Sequence, residues 1–400
     1  MAQRDARWEI RVLVRAVLCM LWLSCCGARA WSVGCVELEK FVLRGGVVNR
    51  AELVRAGPYS VAGRKMTGDL PEFCRVVLTL TPSSDSEIHV EAWMPVEGWN
   101  GRMEGTGNGG FAGGIDYDAL SGGVRLGYAV VNTDMGMATP PNESASAFVG
   151  RPERWKDWGY RATHEMTVAG KQIVKAFYGR GAERAYFAGC STGGEQALME
   201  AQRFPEDYDG IVAGAPANNR TGVHTSILWD FAATRREPSA GLSEGQLQTL
   251  SRAVLRACDR LDGVADGVID DPRACRFDPA ELRCTGKNAS DCLSSEQVEA
   301  VRKIYAGPTD SVTGKSLYAG VPRGSETGWS GFGPPVTEKQ VPPFAPIFEW
   351  VFGRDWDWRT FNFGSDFREM SARLGATLNA SDPDLSRFRR LGHKLIVYHG

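Results

Sequence analysis

The sequence predicts an α/β fold, a parallel sheet covered on both faces by helices and interrupted late in the chain by a large insertion. Three observations carry this. Short β-rich or apolar runs alternate with helical patterns up to about residue 213, the alternation breaks over residues 218–385, and a strand-like run returns at Lys394 to His399. Strand, helix, strand alternation is the pattern of crossover units, whose helices bury both faces of a parallel sheet. A chain of 400 residues that is 43% hydrophobic and 24% charged can bury a sizeable core. Its 46 basic and 48 acidic residues form no long run of either sign. That balance argues against nucleic acid or an anionic membrane as a partner.

Residues 1–30 read as a secretory signal peptide. Arg4, Arg7, Arg11 and Arg15 form a basic start, Ala16 to Cys26 is apolar, and Ala28-Arg29-Ala30 offers a small-residue cleavage site. The apolar stretch is too short to span a bilayer, which takes about 20 residues. The chain from Trp31 is therefore expected to be soluble and secreted, extracellular or periplasmic, in an oxidising compartment.

Arg75 to Pro82 and Ser86 to Pro95 read as strands, the second with Ile88, Val90, Ala92 and Met94 alternating as a half-buried strand requires. Tyr128 to Asp134 is a further strand and Trp155 to Tyr178 a helix with apolar spacing of three and four. Ala185 to Ala188, Gly193 to Arg203 and Asp209 to Ala213 continue as strand, helix, strand. Residues 31–217 thus form the first part of the core. Residues 218–385, rich in Gly/Pro loops, paired cysteines and aromatics, form an inserted subdomain. Residues 386–400 begin the returning core, which is expected to be truncated at Gly400.

Beyond the leader the chain keeps seven cysteines, so one lacks a partner. Cys258 with Cys275 and Cys284 with Cys292 would close short loops, and Cys35 with Cys74 would tie the first segment to a strand. Cys190 is left over, either a free thiol or half of a bridge to a residue the sequence does not contain.

Gly189-Cys190-Ser191-Thr192-Gly193 is a GxSxG between a strand and a helix. This context forces a serine into a tight elbow with its hydroxyl exposed above the sheet edge, as in α/β-hydrolases. Small residues at 189 and 193 let strand and helix backbones approach. A serine nucleophile needs a histidine base and a carboxylate to orient it, in the order Ser, acid, His. His399 with Asp382 or Asp384 is a poor candidate pair, because His399 lies on the strand with no loop to carry it back over Ser191.

Gly101 to Ile115 contains a formal GxGxxG but is followed by no amphipathic helix and holds no GK[ST]. Its better use is to supply a second backbone N–H, from Gly110 or Gly109, beside that of Thr192 in an oxyanion hole. Cys258 to Val268 places three carboxylates on a glycine-rich turn, a density of hard oxygen donors that suits calcium. Asp259, Asp262 and Asp266 would give side-chain oxygens and Val264 and Val268 carbonyls, at a structural site.

Together, WNGRMEGTGNGGFAGG, DWGYRATHE, GCSTGGEQAL, CDRLDGVADGVI and FGRDWDWRTF resemble the tannase and feruloyl esterase family from about Cys35 to Gly400. The resemblance implies an α/β-hydrolase with a large lid, a calcium site in that lid, and a cysteine beside the nucleophile bridged to one beside the catalytic histidine. On this sequence Ser191 matches the nucleophile, Cys190 its bridged neighbour, and Asp259, Asp262, Val264, Asp266 and Val268 the calcium ligands. The family's Asp is expected just past the YHG strand and its His-Cys pair further on, and neither position lies within these 400 residues. Met137 stands where relatives often carry histidine. The implied activity is hydrolysis of small or plant-polymer-linked esters of aromatic acids through a serine acyl-enzyme. The 400 residues by themselves are expected to be nearly inactive, and the rival expectation is a degenerate, calcium-binding secreted member of the fold.

Overall fold

The computed structural model describes residues 33–111, 113–137, 145–286, 291–329 and 341–399. The leader assigned to residues 1–30 lies outside them. The strands are β1 (Gly46–Val54), β2 (Ser60–Val61), β3 (Arg64–Lys65), β4 (Phe73–Leu80), β5 (Ile88–Pro95), β6 (Arg102–Thr106), β7 (Ala129–Thr133), β8 (Arg184–Cys190), β9 (Gly210–Gly214) and β10 (Lys394–Tyr398). Eight of them form one sheet in the order β1-β4-β5-β7-β6-β8-β9-β10, with β2 and β3 a separate small hairpin.

The sheet is mixed, which corrects the expectation of a parallel one. From β7 through β6, β8 and β9 to β10 neighbours run parallel, whereas the β1-β4, β4-β5 and β5-β7 pairs are antiparallel. The connection from Leu80 to Ile88 is too short for the crossover of about a dozen residues that a parallel pair requires. The GxSxG lies in the parallel half, at the end of β8.

Helices α1 (Tyr117–Arg125), α2 (Pro152–Lys156), α3 (Ala162–Tyr178) and α4 (Thr192–Arg203) cover the sheet region. Between α2 and α3, Asp157–Arg161 forms a single wide turn rather than regular helix. Successive residues of a strand face opposite ways. Ala92, Met94 and Val131 accordingly join the core under α3 and α4, while Trp93 and Val130 pack with Leu120 and Val124 of α1.

After β9 the chain leaves the sheet and returns only at β10. Among the described residues between, the expected loops alternate with six helices: α5 (Arg220–Arg235), α6 (Glu244–Cys258), α7 (Ser295–Ala306), α8 (Ala345–Phe352), α9 (Ser365–Leu378) and α10 (Ser386–Arg390). Reciprocal capping boxes, Ser243 with Gln246 and Ser294 with Gln297, start α6 and α7. This region contributes to two further cores, the first shared with Met135, Phe148, Trp155 and Trp158 of the earlier chain. One is aromatic, built on Phe348, Trp350, Trp358 and Phe361, and the other is aliphatic, built on Leu247, Val254, Val298 and Ile304. Among the described residues no helix is long and apolar enough to cross a membrane.

Candidate active site

Ser191 ends β8 and opens α4 with φ 60° and ψ −112°, a conformation an L-residue adopts only under constraint, at a cost of about 1–3 kcal/mol. The surroundings supply that constraint. Its N–H donates to the Gly214 carbonyl at 2.9 Å, and its carbonyl accepts from Glu195 and Ala217 at 3.1 and 3.2 Å. Three glycines make the elbow possible. A Cβ on Gly189 would come within 2.4 Å of the Gly193 carbonyl oxygen, and one on Gly107 within 2.5 Å of the Gly193 Cα. The serine side chain is exposed at the C-terminal end of the parallel strands, where open α/β sheets place their ligands.

The glycine-rich loop after β6 is bonded to the same helix. Gly193 N–H donates to the Asn108 carbonyl at 2.7 Å, Asn108 N–H to Gln196 Oε1 at 2.8 Å, and the Thr192 hydroxyl to the Gly110 carbonyl at 2.5 Å. Gly110 sits at φ +63°, which favours glycine. Thr192 occupies the first helical position, so its N–H has no acceptor within the helix. Ser191, Thr192 and Gly110 are thus neighbours.

Several residues beneath and beside the elbow were not singled out from sequence. Fully buried Glu195 lies 3.4 Å from Arg220, itself 2% exposed. Burial pushes the Glu195 carboxyl up to about 7, against the pull of Arg220. The Arg220 guanidinium stands 5.0 Å over the Trp158 ring, and Trp158 stacks on Phe111, the residue after Gly110, at 5.0 Å. Phe344 and Trp350 approach Phe111 at 6.3 and 5.5 Å, and His224 stacks on Phe344 at 4.9 Å. Of the seven aromatics between Phe348 and Phe363, then, Trp350 reaches the glycine-rich loop while most pack with one another. Met137, 7% exposed, packs in the same aromatic core.

The histidines are occupied elsewhere. His89 Nδ1 meets Asp134 at 3.0 Å, His164 Nδ1 meets Asp207 at 2.5 Å, and His393 Nδ1 lies 2.9 Å from the Pro205 carbonyl. Burial, then the charge of Arg220, keeps the His224 imidazole neutral, well below its usual pKa. His399 follows Tyr398, which pairs with Gly214, itself opposite Cys190. That register puts His399 two strands from Ser191, a backbone separation of about 10 Å. Asp382 and Asp384 accept backbone bonds at the entry to α10, before β10 begins. The strand's length, about 17 Å, separates them from His399.

The cysteines form Cys35–Cys74, Cys258–Cys275 and Cys284–Cys292 bridges, and Cys190 is free and exposed. In the acidic loop Asp262 Oδ1 accepts from Val264 N–H at 2.8 Å, Asp266 Oδ1 from Val268 at 3.1 Å and Asp259 Oδ1 from Gly267 at 3.0 Å. Residues 260–268 are exposed. The donors are the hard oxygens calcium prefers. They are not gathered as a cage: among the described residues the one His/Cys/Asp/Glu group whose ligand atoms lie within 4.8 Å of one another is His164, Glu200 and Asp207.

Comparisons with known proteins agree with this geometry. The chain is 35% identical over 388 residues to an uncharacterised esterase of Xanthomonas campestris pv. campestris, covering 92% of this chain and 67% of that one. It is 35% identical over 340 residues to a probable feruloyl esterase B-2 of Aspergillus flavus, covering 82% of this chain and 62% of that protein. The chain thus spans about three fifths of the length of that feruloyl esterase. The crystal structure of feruloyl esterase B from Aspergillus oryzae superposes with a TM-score of 0.82 at 31% identity, over 92% of this chain and 74% of that one. Tannin acyl hydrolase from Aspergillus niger shares the fold, with a TM-score of 0.70 at 21% identity, over 92% and 72% of the two chains. The profile for tannase and feruloyl esterase matches residues 74–400. With most of its length so matched and its serine held at the elbow of an α/β-hydrolase sheet, the chain belongs to the tannase and feruloyl esterase family.

Proposed function

We propose that these residues form the nucleophile half of a secreted carboxylic-ester hydrolase acting on esters of aromatic acids, feruloyl or galloyl in type. The observation that carries the reading is the constrained, exposed Ser191 bonded through its neighbour Thr192 to the Gly110 loop. Ser191 Oγ attacks the ester carbonyl, and the N–H groups of Thr192 and Gly110 stabilise the oxyanion. A histidine takes the serine proton and returns it to the leaving alcohol, and water then releases the acid from the acyl-enzyme. That histidine and its carboxylate belong past β10, in the order the fold requires. Phe111, with Trp158 and Trp350 behind it, offers an apolar wall for an aryl acyl group. The bridges support an oxidising compartment. Calcium, if bound, would draw on Asp259, Asp262, Asp266 and the carbonyls of Val264 and Val268, and would brace the loop that the Cys258–Cys275 bridge closes.

The rival reading, a non-catalytic calcium-binding member of the fold, is favoured by one observation: His89, His164 and His393 have partners away from Ser191. Hydrolysis of methyl ferulate and methyl gallate decides between them. The product of the whole reading frame containing these residues should turn over at least one ester, Ser191→Ala should lose on the order of 10⁴-fold or more, and residues 31–400 alone should match the Ser191→Ala background. Full activity in Ser191→Ala would overturn the serine mechanism, and an inert whole product would favour the rival.

A further inference from the structure

The far end of the nucleophile helix carries a second group of chemistry-bearing side chains. His164 in the first turn of α3, Glu200 in the last turn of α4 and Asp207 in the turn before β9 each place a ligand atom within 4.8 Å of the others. Helix rise sets Glu200 roughly 13 Å from Ser191, outside the acyl-transfer site. His164 Nδ1 and Asp207 Oδ2 are 2.5 Å apart, and the imidazole stacks on Phe204 at 3.8 Å, which fixes its plane. Lys171 also faces the group. Its ammonium donates to the Asp207 carbonyl at 2.5 Å, and it remains 3.8 Å from Asp207 Oδ1.

A histidine–aspartate pair with a nearby lysine needs no third acid. Glu200 is what that pair leaves over: it is 0% exposed, neither of its carboxylate oxygens accepts a hydrogen bond from an N–H or hydroxyl, and its polar neighbour is the Asp207 carboxylate, itself an acceptor unless a proton or a cation lies between the two. Burying two unsatisfied acceptors is costly unless something satisfies them. The neighbouring Tyr208 hydroxyl does not, because it pairs with Thr167 at 2.5 Å.

We propose that His164, Glu200 and Asp207 bind a divalent transition-metal cation of the zinc class. One imidazole nitrogen with two carboxylates is a donor set suited to zinc, in contrast to the all-oxygen loop at residues 259–268. Tetrahedral ligands about 2.1 Å from one ion lie about 3.4 Å apart, so binding would draw the widest of the present separations, which all lie within 4.8 Å, inward and open the 2.5 Å contact of His164 with Asp207. The His164 side chain is 27% exposed, which lets water reach the remaining position. The ion would clamp α3 to the end of α4 and to the corner leading into β9. It is therefore a brace for the helix whose other end holds Ser191 and takes no part in acyl transfer.

The test is a calorimetric titration of the chelator-treated, dialysed chain with zinc chloride, with thermal melts alongside. The expected result is one equivalent of zinc bound and a melting temperature raised by several degrees. Affinity should fall at least tenfold in Glu200→Gln and in His164→Gln and stay unchanged in Asp266→Asn, which reports on the acidic loop instead. Circular dichroism confirms that each variant is folded, and the partly exposed His164 provides the variant least able to disturb the core. Absence of zinc binding by the parent chain, or parent-like binding by both folded variants, would overturn the proposal.

Discussion

The Thr192 hydroxyl donates to the carbonyl of Gly110, 82 positions away in sequence, at 2.5 Å. This bond joins the helix opened by Ser191 to the loop that would complete the proposed oxyanion hole. Thr192→Val keeps the shape and removes the donor. It should cost about 1 kcal/mol of stability and, in an active product of the whole reading frame, lower kcat about tenfold with little change in KM. Thr192→Ser should restore both, as urea melts and steady-state kinetics would show.

Gly107→Ala should be among the most damaging single-atom changes in the chain. The new Cβ would meet the backbone at Gly193 Cα, 2.5 Å, and Gly189 Cα, 3.0 Å, and neither can swing away. A loss of about 3 kcal/mol is expected. Two positions on, Gly109→Ala meets nothing within 4 Å and should melt like the parent chain.

Arg220 is the cation that keeps Glu195 tolerable in the core. Arg220→Met should cost about 1 kcal/mol more at pH 8 than at acid pH, because at pH 8 it leaves Glu195 to be buried as an unpaired carboxylate or to take up a proton. The cost should shrink at pH 5.5, where the same carboxyl, already raised to about 7 by burial, escapes by taking a proton. Adding Glu195→Gln should recover much of the loss, and equal penalties at the two pH values would refute the account.

Asp230 on α5 is 4% exposed, its Oδ1 lacks a partner, and burial raises its pKa to about 8. The folded state therefore holds a proton that the unfolded state has released. Stability from this group is fully present below the unfolded value near 4 and declines as pH rises towards 8. Asp230→Asn should flatten that decline and stabilise the protein by at least about 1 kcal/mol at pH 8, measured by denaturant melts across pH.

The Cys258–Cys275 bridge closes a loop across 17 positions that contains the acidic residues. Replacing both cysteines by serine should cost about 3 kcal/mol. Millimolar calcium should raise the melting temperature of the parent chain, and Asp266→Asn should reduce that rise. A calcium response that Asp266→Asn leaves intact would place the ion elsewhere.

How much of this was legible in the sequence depended on how local the cause was. β8, the elbow and α4 were readable because an apolar run, a GxSxG and a helical pattern follow one another within Arg184 to Arg203. β6 was not, since Arg102–Thr106 carries two charges, Arg102 and Glu104, and a glycine in five residues, and is a strand only because β7 and β8 flank it. The helices of the insertion were not read, although Ser243…Gln246 and Ser294…Gln297 announce two helix starts. The Arg220–Glu195 pair and the Phe111–Trp158 stack join distant segments, so no local pattern could reveal them. The Ser191, Thr192 and Gly110 grouping was reached through the chemistry of the motif, with loop and helix then found bonded to each other.

The insertion between β9 and β10 also bears on how the chain folds. Two hydrogen-bonded neighbours in the sheet are separated by residues 215–393, so their pairing is the most non-local contact of the parallel half. Entropy does not forbid it: closing a loop of roughly 180 residues costs only about 2 kcal/mol more than closing one of 15. Rate is affected more than stability, because such contacts are rewarded only after the intervening chain has been ordered. On the ribosome β9 emerges well before its partner, and the edge formed by Gly210–Gly214 stays open for the whole synthesis of the insertion. A chaperone that shields this edge, or an insertion quick to condense on its aliphatic core and against Trp155 and Trp158, would set the yield of native protein.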